Sequence, residues 1–213
     1  MKKNEARTSA PESVKEKIIA IEWEMFQRVH NEGGRADCQD RPDTFAIMRR
    51  AQFSAWPQEL AESYLKDLRD ALRTGRNLPM EKYARMMAST APEEYRRFSS
   101  ALPEIPEQSR EIIEECVAQE ISWMEEYCRE YPRLSSGNRV LYTREDTSYE
   151  TSFETYERGE LSTYSAHTLE LYRKFLLELK ARGENLALLI MTSMVRQYGY
   201  RSLTDAENRQ PEG

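Results

Sequence analysis

The second half of the chain repeats the first, and this repetition constrains the fold more than any other feature of the sequence. The stretch GRNLPMEKYARMM at 75–87 is matched by GENLALLIMTSMV at 183–195, a separation of 108 residues (183 − 75). Residues 43–90 and 151–198 share 11 identical positions without a gap, whereas about three would be expected by chance. The sequence therefore predicts an internal duplication.

The helices that open the two halves match at a slightly different separation. Ile21 aligns with Ile121 and Trp23 with Trp123, so that each pair is 100 residues apart (121 − 21). The loop after the first helix is therefore expected to be 8 residues longer in the second half (108 − 100), where RLSSGNRV stands.

The composition favours an all-α fold. Charged residues make up 32% of the chain and hydrophobic residues 39%, with only 8 Gly and 9 Pro, a mixture that is typical of amphipathic helices. Each copy supplies about four helices whose apolar stripe the other copy can cover. We therefore predict an internally duplicated helical domain in which two copies of a roughly four-helix unit pack about an approximate two-fold axis.

Apolar residues recur with the period of an α-helix along most of the chain. Pro11 or Ser13 opens the first predicted helix, which stops near NEGG at 31–34, and Asp43 or Thr44 caps the second. The further predicted helices lie at about 58–73, 79–89, 107–130, 152–164, 166–183 and 185–199. An extended piece is expected only within RVLYT.

Proline and polar turn residues set the expected domain limits. The stretch APEEYRRFSSALPEIPEQ interrupts the helical pattern and is interpreted as a connector. We predict a flexible N-terminus at 1–11, helical repeat 1 at 12–98, the connector proper at 99–107, helical repeat 2 at 108–200 and a flexible tail at 201–213. The two repeats are expected to form one compact domain.

Charge and cysteine content argue against several classes of function. The chain has 31 Lys and Arg against 37 Asp and Glu, a net charge of −6, which argues against nucleic acid as a partner. No apolar stretch approaches the ~18 residues of a membrane span, so we expect no membrane contact and a cytoplasmic location. Three cysteines without CxxC spacing predict neither a disulfide framework nor a zinc site. We predict no metal and no cofactor.

Two positions carry different polar residues in the two copies, although a symmetric scaffold needs no such difference. Arg49 is equivalent to Glu157, and Gln52 is equivalent to Glu160. These side chains could meet as pairs across the repeats and mark a site. The alternative is that they form ordinary structural ion pairs.

The loop sequence GGRADCQD is another place where chemistry could reside. Arg35 and Arg41 flank Cys38, and neighbouring positive charge favours a reactive thiolate. No general base is evident, because His30 and His167 stand at no recognisable spacing from the cysteine. The alternative is a small, chemically inert cysteine.

Glutamates near two tryptophans raise the question of a metal site. Glu22 and Glu24 flank Trp23, while Glu120, Glu125 and Glu126 surround Trp123. Helical bundles place such carboxylates around two metal ions, but they do so with a Glu-x-x-His motif that this sequence lacks. We therefore expect most of these glutamates to be solvated.

The stretch TSFETYERGELSTYS combines polar and aromatic residues on one predicted helix. Glu154, Tyr156, Glu160 and Tyr164 lie on neighbouring turns. This helix face could line a ligand pocket, or its tyrosines could belong to the core with their hydroxyls satisfied. The sequence leaves both interpretations open.

Five motifs, taken together and in order, resemble one family of bacterial proteins. They are IEWEMFQRV, GGRADCQD, FAIMRRAQFSAW, GRNLPMEKYARMM and TSFETYERGELSTYS. With them nearly the whole chain, about residues 15–200, resembles the bacterial domain of unknown function 4125. The resemblance implies no activity, cofactor or catalytic residue. It implies at most a helical partner or substrate-handling module for a nucleotidyltransferase-like enzyme.

Two functions agree with these observations. In the first, the interface between the repeats forms a polar pocket that binds a small molecule or a short peptide, with or without catalysis. The candidate ligand-binding residues are Glu22, Arg35, Cys38, Gln39, Arg49, Gln52, Lys82, Glu154 and Glu160. In the second, the protein is a non-catalytic adaptor whose surface docks a protein partner, and the same residues are structural. The pocket is favoured because polar residues lie on helices that should pack inward.

Overall fold

A computed structural model of the protein describes residues 13–30 and 34–211, and this part of the chain is helical without a β-strand. The all-α prediction is thus confirmed. The first half contains α1 (Val14–Gln27), α2 (Pro42–Ser54), α3 (Gln58–Arg73), α4 (Leu78–Thr90) and α5 (Pro92–Phe98). The second half contains α6 (Glu107–Glu130), α7 (Pro132–Ser135), α8 (Phe153–Leu161), α9 (Ala166–Ala181), α10 (Leu186–Gln197) and α11 (Leu203–Asn208).

The motif around Gly75 and its counterpart around Gly183 ends one helix and starts the next. Both glycines have a positive φ, +73° and +68°, in the left-handed region that favours glycine after a helix C-terminus. Two residues later, Asn77 and Asn185 cap α4 and α10 by accepting hydrogen bonds from the N–H groups of the third helical residues. The shared motif therefore encodes a helix–turn–helix corner.

The two halves pack their helices in corresponding pairs. In the first half, α1 contacts α2, α3 and α4, and in the second half α6 contacts α8, α9 and α10. Between the halves, α4 packs against α8, α10 against α2, and α3 against α9. The buried apolar side chains of both halves form one contiguous core, so each half covers the apolar face of the other.

Several helix limits agree with the sequence prediction. The bounds of α3 and α6 are confirmed at Gln58–Arg73 and Glu107–Glu130, and Ser13 caps α1 as expected. The second helix was predicted to start after a cap at Asp43 or Thr44, which is wrong. It starts two or three residues earlier, at Pro42, because proline is favoured at a first helical position, where its missing N–H costs nothing.

Other segments differ from expectation in secondary structure. The extended piece expected within RVLYT is a loop followed by a short 3-10 turn at Thr143–Glu145. Helix α5 forms inside the stretch interpreted as a connector. Helix α11 forms inside the expected flexible tail, because Leu203 and Ala206 are buried and Ser202 caps the helix. The expected flexible N-terminus at 1–11 and most of the NEGG stop lie outside the described residues.

None of the helices formed by residues 13–30 and 34–211 is both long enough and apolar enough to cross a lipid bilayer.

Candidate functional site

Five polar side chains from five helices meet where the two halves contact each other. Glu22 comes from α1, Arg49 from α2, Tyr64 from α3, Lys82 from α4 and Glu160 from α8, and each is at most 9% exposed. We call these five residues the central cluster. The apolar stripes of the helices bring them inside: Glu22, for example, shares its helix face with the buried Ile18 and Met25.

Arg49 is the bridge between the two acidic residues of the central cluster. Its Nε donates to Glu22 Oε2 at 2.7 Å, its Nη2 donates to Glu22 Oε1, and its Nη1 donates to Glu160 Oε1 at 2.9 Å. Tyr64 adds a hydrogen bond from its hydroxyl to Glu22 Oε1 at 2.7 Å. The fork of the guanidinium thus joins α1 to α8, which belong to different halves.

Glu160 is held by cations from two other helices. Lys82 Nζ donates to its Oε2 at 2.6 Å, and Gln52 Nε2 donates to its Oε1 at 3.1 Å, beside the bond from Arg49. Burial alone would raise the pKa of Glu160, but the charges of Arg49 and Lys82 lower it well below its usual range. Burial tends to lower the pKa of Lys82, yet the charge of Glu160 raises it above its ordinary value. Both groups are therefore ionised at neutral pH.

Aromatic rings surround the cationic end of the central cluster. Lys82 Nζ lies 3.3 Å from the centre of the Tyr156 ring and 5.8 Å from that of Tyr83, distances at which a cation is attracted to the ring face. Burial raises the pKa of Tyr83 to about 12. This phenol therefore stays protonated and can donate a hydrogen bond.

A cavity of about 50 Å³ lies against the central cluster. Its wall combines carboxylates, cations, phenols and apolar rings. The lining residues are Glu22, Phe26, Phe45, Arg49, Tyr64, Leu78, Pro79, Lys82, Tyr83, Tyr156, Glu160 and Thr163. The space admits a few water molecules.

A second group of rings fills the contact between the halves next to the central cluster. Trp56 lies 6.2 Å from Tyr164 and 5.8 Å from Tyr172, while Tyr64 lies 4.8 Å from Tyr164, measured between ring centres. All four are at most 7% exposed. These contacts have the tilted and edge-on geometries that aromatic pairs prefer. The rings therefore pack the two halves together beside the polar groups.

The structure brings together five of the nine residues predicted from the sequence. Glu22, Arg49, Gln52, Lys82 and Glu160 are connected by hydrogen bonds. Among the described residues, the ion-pair partners of Arg49 are Glu22 and Glu160. Equivalence across the repeats suggested Glu157 instead. That pairing does not form because the guanidinium is occupied by Glu22 from its own half.

The other four predicted residues, Arg35, Cys38, Gln39 and Glu154, are not among the residues that line the cavity. Gln39 donates through Nε2 to the carbonyls of Phe26 and Val29, at the C-terminal end of α1, where helix carbonyls lack partners. Arg35 donates to the Gln39 carbonyl at 2.7 Å. Cys38 is an exposed free thiol.

Glu154 lies in the first turn of α8, where it fixes the preceding loop. Its carboxylate accepts hydrogen bonds from the Thr143 N–H at 2.7 Å and from Arg158 at 2.8 Å. Glu154 therefore stabilises the loop before α8, and it does not line the cavity.

Sequence reasoning missed Tyr64 and Tyr83 as site residues. It also expected most of the glutamates near Trp23 and Trp123 to be solvated. Glu24 and Glu126 are exposed, but Glu120 is 7% exposed, so for Glu120 that expectation is wrong. Its spacing of four residues from the buried Cys116 and three from Trp123 was the signal for burial.

The chemistry of the central cluster is that of fixed charges and hydrogen-bond donors. Across residues 13–30 and 34–211, no three His, Cys, Asp or Glu side chains are grouped so that they could hold a metal ion. The carboxylates of Glu22 and Glu160 are neutralised by Arg49 and Lys82. The arrangement can orient a small charged molecule, because it offers both signs of charge at fixed positions.

No curated protein and no solved structure matches this chain. A family does match, over residues 12–208, which is nearly the entire length. The match covers both halves and all five helices that supply the central cluster. The chain therefore belongs to the family described as protein of unknown function (DUF4125).

Proposed function

We propose that the protein binds a small molecule in the cavity between its halves, and that this ligand is a zwitterion of about the size of an amino acid. The observation that carries the proposal is the lining: Glu22 and Glu160 supply negative charge and Arg49 and Lys82 supply positive charge around one space. A molecule that bears an ammonium and a carboxylate matches both signs, whereas an ion of one charge would oppose half of the wall.

The donors and acceptors of the lining support this proposal. An ammonium group has three N–H donors, and among the described residues the hydrogen-bond acceptor of Lys82 is Glu160 alone. Lys82 thus retains donors for a ligand carboxylate. Glu22 accepts three hydrogen bonds, two from Arg49 and one from Tyr64, so a lone pair of its carboxylate remains for a ligand ammonium.

The aromatic part of the lining supports an apolar ligand body. Phe26 and Phe45 stack with their ring centres 5.5 Å apart and their planes 13° from parallel, and Tyr83 lies 6.2 Å from Phe26. Phe45 and Tyr83 are only partly buried, so they can shift to enlarge a space that now admits a few water molecules. A ligand side chain would replace that water.

Binding is better supported than amine chemistry. Lys82 stays protonated at neutral pH, because the charge of Glu160 raises its pKa. A protonated amine has no lone pair with which to attack a carbonyl group. The lysine therefore acts as a fixed cation.

The test is a thermal-shift screen of the full chain against the common amino acids, supplied one at a time. Binding to the folded state stabilises it by RT ln(1 + L/Kd), where L is the ligand concentration, so the melting temperature rises with the logarithm of that concentration once the ligand exceeds its Kd. We expect at least one amino acid to do so, and we expect Lys82→Met to lose the effect. The control is Lys66→Met, which removes an exposed lysine of α3 and should respond like the wild type. If no amino acid shifts the wild-type protein, the proposal is wrong.

A docking role is the second candidate, and exposed apolar side chains favour it. Met48 on α2 is 52% exposed and Tyr198, directly after α10, is 51% exposed. The helices that carry or precede them lie side by side, since α2 packs against α10 and Gln197 Nε2 donates to the Ile47 carbonyl at 3.2 Å. Such a surface fits a protein partner, including the nucleotidyltransferase-like enzyme that the family resemblance implies. Pull-down with Met48→Glu as a negative control would test it.

We also propose that the fold is a duplication, with repeats at 12–98 and 108–200 related by an approximate two-fold axis. Corresponding contacts support it. Asn77 donates through Nδ2 to the Met25 carbonyl, and Asn185 donates to the Trp123 carbonyl. The asparagines are 108 residues apart (185 − 77), while the carbonyls are 98 apart (123 − 25).

A separation of 98 rather than 100 residues for the opening helices is supported by a second pair of contacts. Tyr64 bonds to Glu22 in the first half, and Tyr172 bonds to Glu120 in the second. The glutamates are 98 residues apart (120 − 22). We therefore propose that the longer loop of the second half contains 10 extra residues (108 − 98). The three free cysteines support a reducing, cytoplasmic location.

A further inference from the structure

A second set of polar residues corresponds to the central cluster but lacks its cation. Under the proposed duplication, Glu120 corresponds to Glu22 and Tyr172 to Tyr64. The counterpart of Arg49 is Glu157. The second half therefore places a carboxyl group where the first half places a guanidinium.

Glu120 is buried without sufficient partners. It is 7% exposed, and its Oε1 is fully buried and has no hydrogen-bond partner among the described residues. A hydrogen bond with Tyr172 is the contact that its carboxyl group does make. A buried carboxylate with an unpaired oxygen is costly, whereas a neutral carboxylic acid is tolerated.

Glu157 also lacks a counter-ion among the described residues. It is partly buried on α8 and forms no ion pair with a described residue. The cations that face it are Lys82 from α4, Arg49 from α2 and Arg139 from the preceding loop. Lys82 and Arg49 are engaged by Glu160 and Glu22, and Arg139 lies over the ring of Tyr156.

The charged groups that surround Glu120 and Glu157 also leave these two carboxyl groups without a counter-ion. Glu120 faces Glu157 and Glu160 of α8 and Tyr172 of α9, and it lies one turn from Cys116 on its own helix. Apart from Glu81, which is paired with Arg76, four buried or partly buried carboxyl groups face two buried cations, Arg49 and Lys82. The four carboxyl groups are those of Glu22, Glu120, Glu157 and Glu160. Two carboxyl groups lack a compensating charge, and a proton is the smallest group that can supply one.

We propose that Glu120 and Glu157 form a proton-binding site, in which the two carboxyl groups retain at least one proton at neutral pH in place of the guanidinium of the first half. Burial and the charge of Glu157 raise the pKa of Glu120 well above its usual range. Burial and the charge of Glu160 raise the pKa of Glu157 to about 7. Because the two groups interact, the midpoint near neutrality belongs to the pair rather than to one residue. The chain thereby gains a group that responds to pH in the neutral range.

The inference is independent of any ligand and is tested on the full chain alone. The first readout is the carboxyl carbon resonances of protein labelled with ¹³C at glutamate, followed from about pH 4.5 to about pH 9. We expect at least one glutamate resonance with a midpoint near pH 7, which disappears in Glu120→Gln/Glu157→Gln and persists in the control Glu150→Gln. If every glutamate titrates below about pH 5.5, the proton-binding site does not exist.

The second readout is stability against pH. A carboxyl group whose pKa is raised by folding stabilises the protein below its unfolded pKa, and this contribution is lost as the pH rises through the folded pKa. Relative to the double variant, the unfolding constant of the wild type should therefore rise about tenfold per pH unit for one proton between about pH 5 and about pH 7. The comparison cancels the two histidines, which both proteins retain. Parallel stability curves for the two proteins would overturn the inference.

Discussion

Gln52 donates through Nε2 to Glu160 Oε1 at 3.1 Å, although Glu160 is the residue that stands 108 positions later in the chain. Under the proposed duplication these two residues are equivalent, and equivalent residues touch only near an axis that relates the two halves. The neighbouring contact between Trp56 and Tyr164, also 108 residues apart (164 − 56) and 6.2 Å between ring centres, has the same relation. The central cluster therefore occupies the line along which the two halves meet.

Removal of one carboxylate from the central cluster should destabilise the fold. Glu160→Gln leaves Arg49 and Lys82 buried with one counter-ion fewer, and breaking a buried ion pair costs about 3–5 kcal/mol. Urea unfolding measures the loss. Glu150→Gln, which alters an exposed carboxyl group, should change the free energy of unfolding by less than about 0.5 kcal/mol. Equal stability of the two variants would mean that the network contributes nothing.

The lowered pKa of Glu160 predicts how the free energy of unfolding changes in acid. The pKa of Glu160 is lowered by folding, so its contribution is present above the unfolded pKa of about 4.3 and is lost as the pH falls below it. In the Glu120→Gln/Glu157→Gln background, where these two neighbouring carboxyl groups do not titrate, the loss of unfolding free energy caused by Glu160→Gln should thus be constant from about pH 8 to about pH 5 and shrink in stronger acid. A difference that grows on acidification would contradict the assignment.

Gly159 allows α8 to approach α4 closely. A Cβ atom at this position would lie 3.0 Å from Met86 Cγ and 3.2 Å from the Lys82 carbonyl oxygen. Gly159→Leu should therefore lower the free energy of unfolding by about 1–3 kcal/mol, the usual cost of overpacking, despite the good helix propensity of leucine. Gly137→Leu is the control, because no atom lies within 4 Å of its added Cβ. Thermal unfolding of Gly159→Leu and Gly137→Leu, each compared with the wild type, tests this prediction.

Replacement of either capping asparagine should lower the free energy of unfolding by a similar amount. Asn77→Ala and Asn185→Ala each remove a helix cap and a hydrogen bond to a carbonyl of the opening helix. We expect each to cost about 1–2 kcal/mol of unfolding free energy. Asn208→Ala, at the exposed end of α11, should be neutral. A large cost at one corner and none at the other would argue against corresponding roles.

The sequence was sufficient for the helices because their signals are local. Apolar period, proline at a first turn and the glycine–asparagine corner specify α3, α4, α6 and α10 without reference to the rest of the chain. The repeat also predicted that Gln52 and Glu160 could meet. Helix α11 escaped prediction, since its stability depends on burial of Leu203 and on the contact of Glu207 with the N–H groups of α7.

The ion-pair partners within the central cluster could not be predicted from the spacing of residues in the sequence. The repeat suggested Glu157 as the partner of Arg49, and the observed pair with Glu22 depends on how α1 and α2 cross, which periodicity does not encode. Gln39 was a candidate ligand-binding residue because it lies in the polar loop GGRADCQD. Its actual role at the end of α1 depends on the path of the loop.

The most direct test of ligand binding is native mass spectrometry of the purified full chain, compared with its mass after denaturation. The account predicts a non-covalent mass excess of one small molecule per chain, either retained from the expression host or acquired on addition of the amino acid identified by thermal shift. The excess should be lost in Lys82→Met and kept in Lys66→Met. A native mass equal to the denatured mass under both conditions would contradict the account.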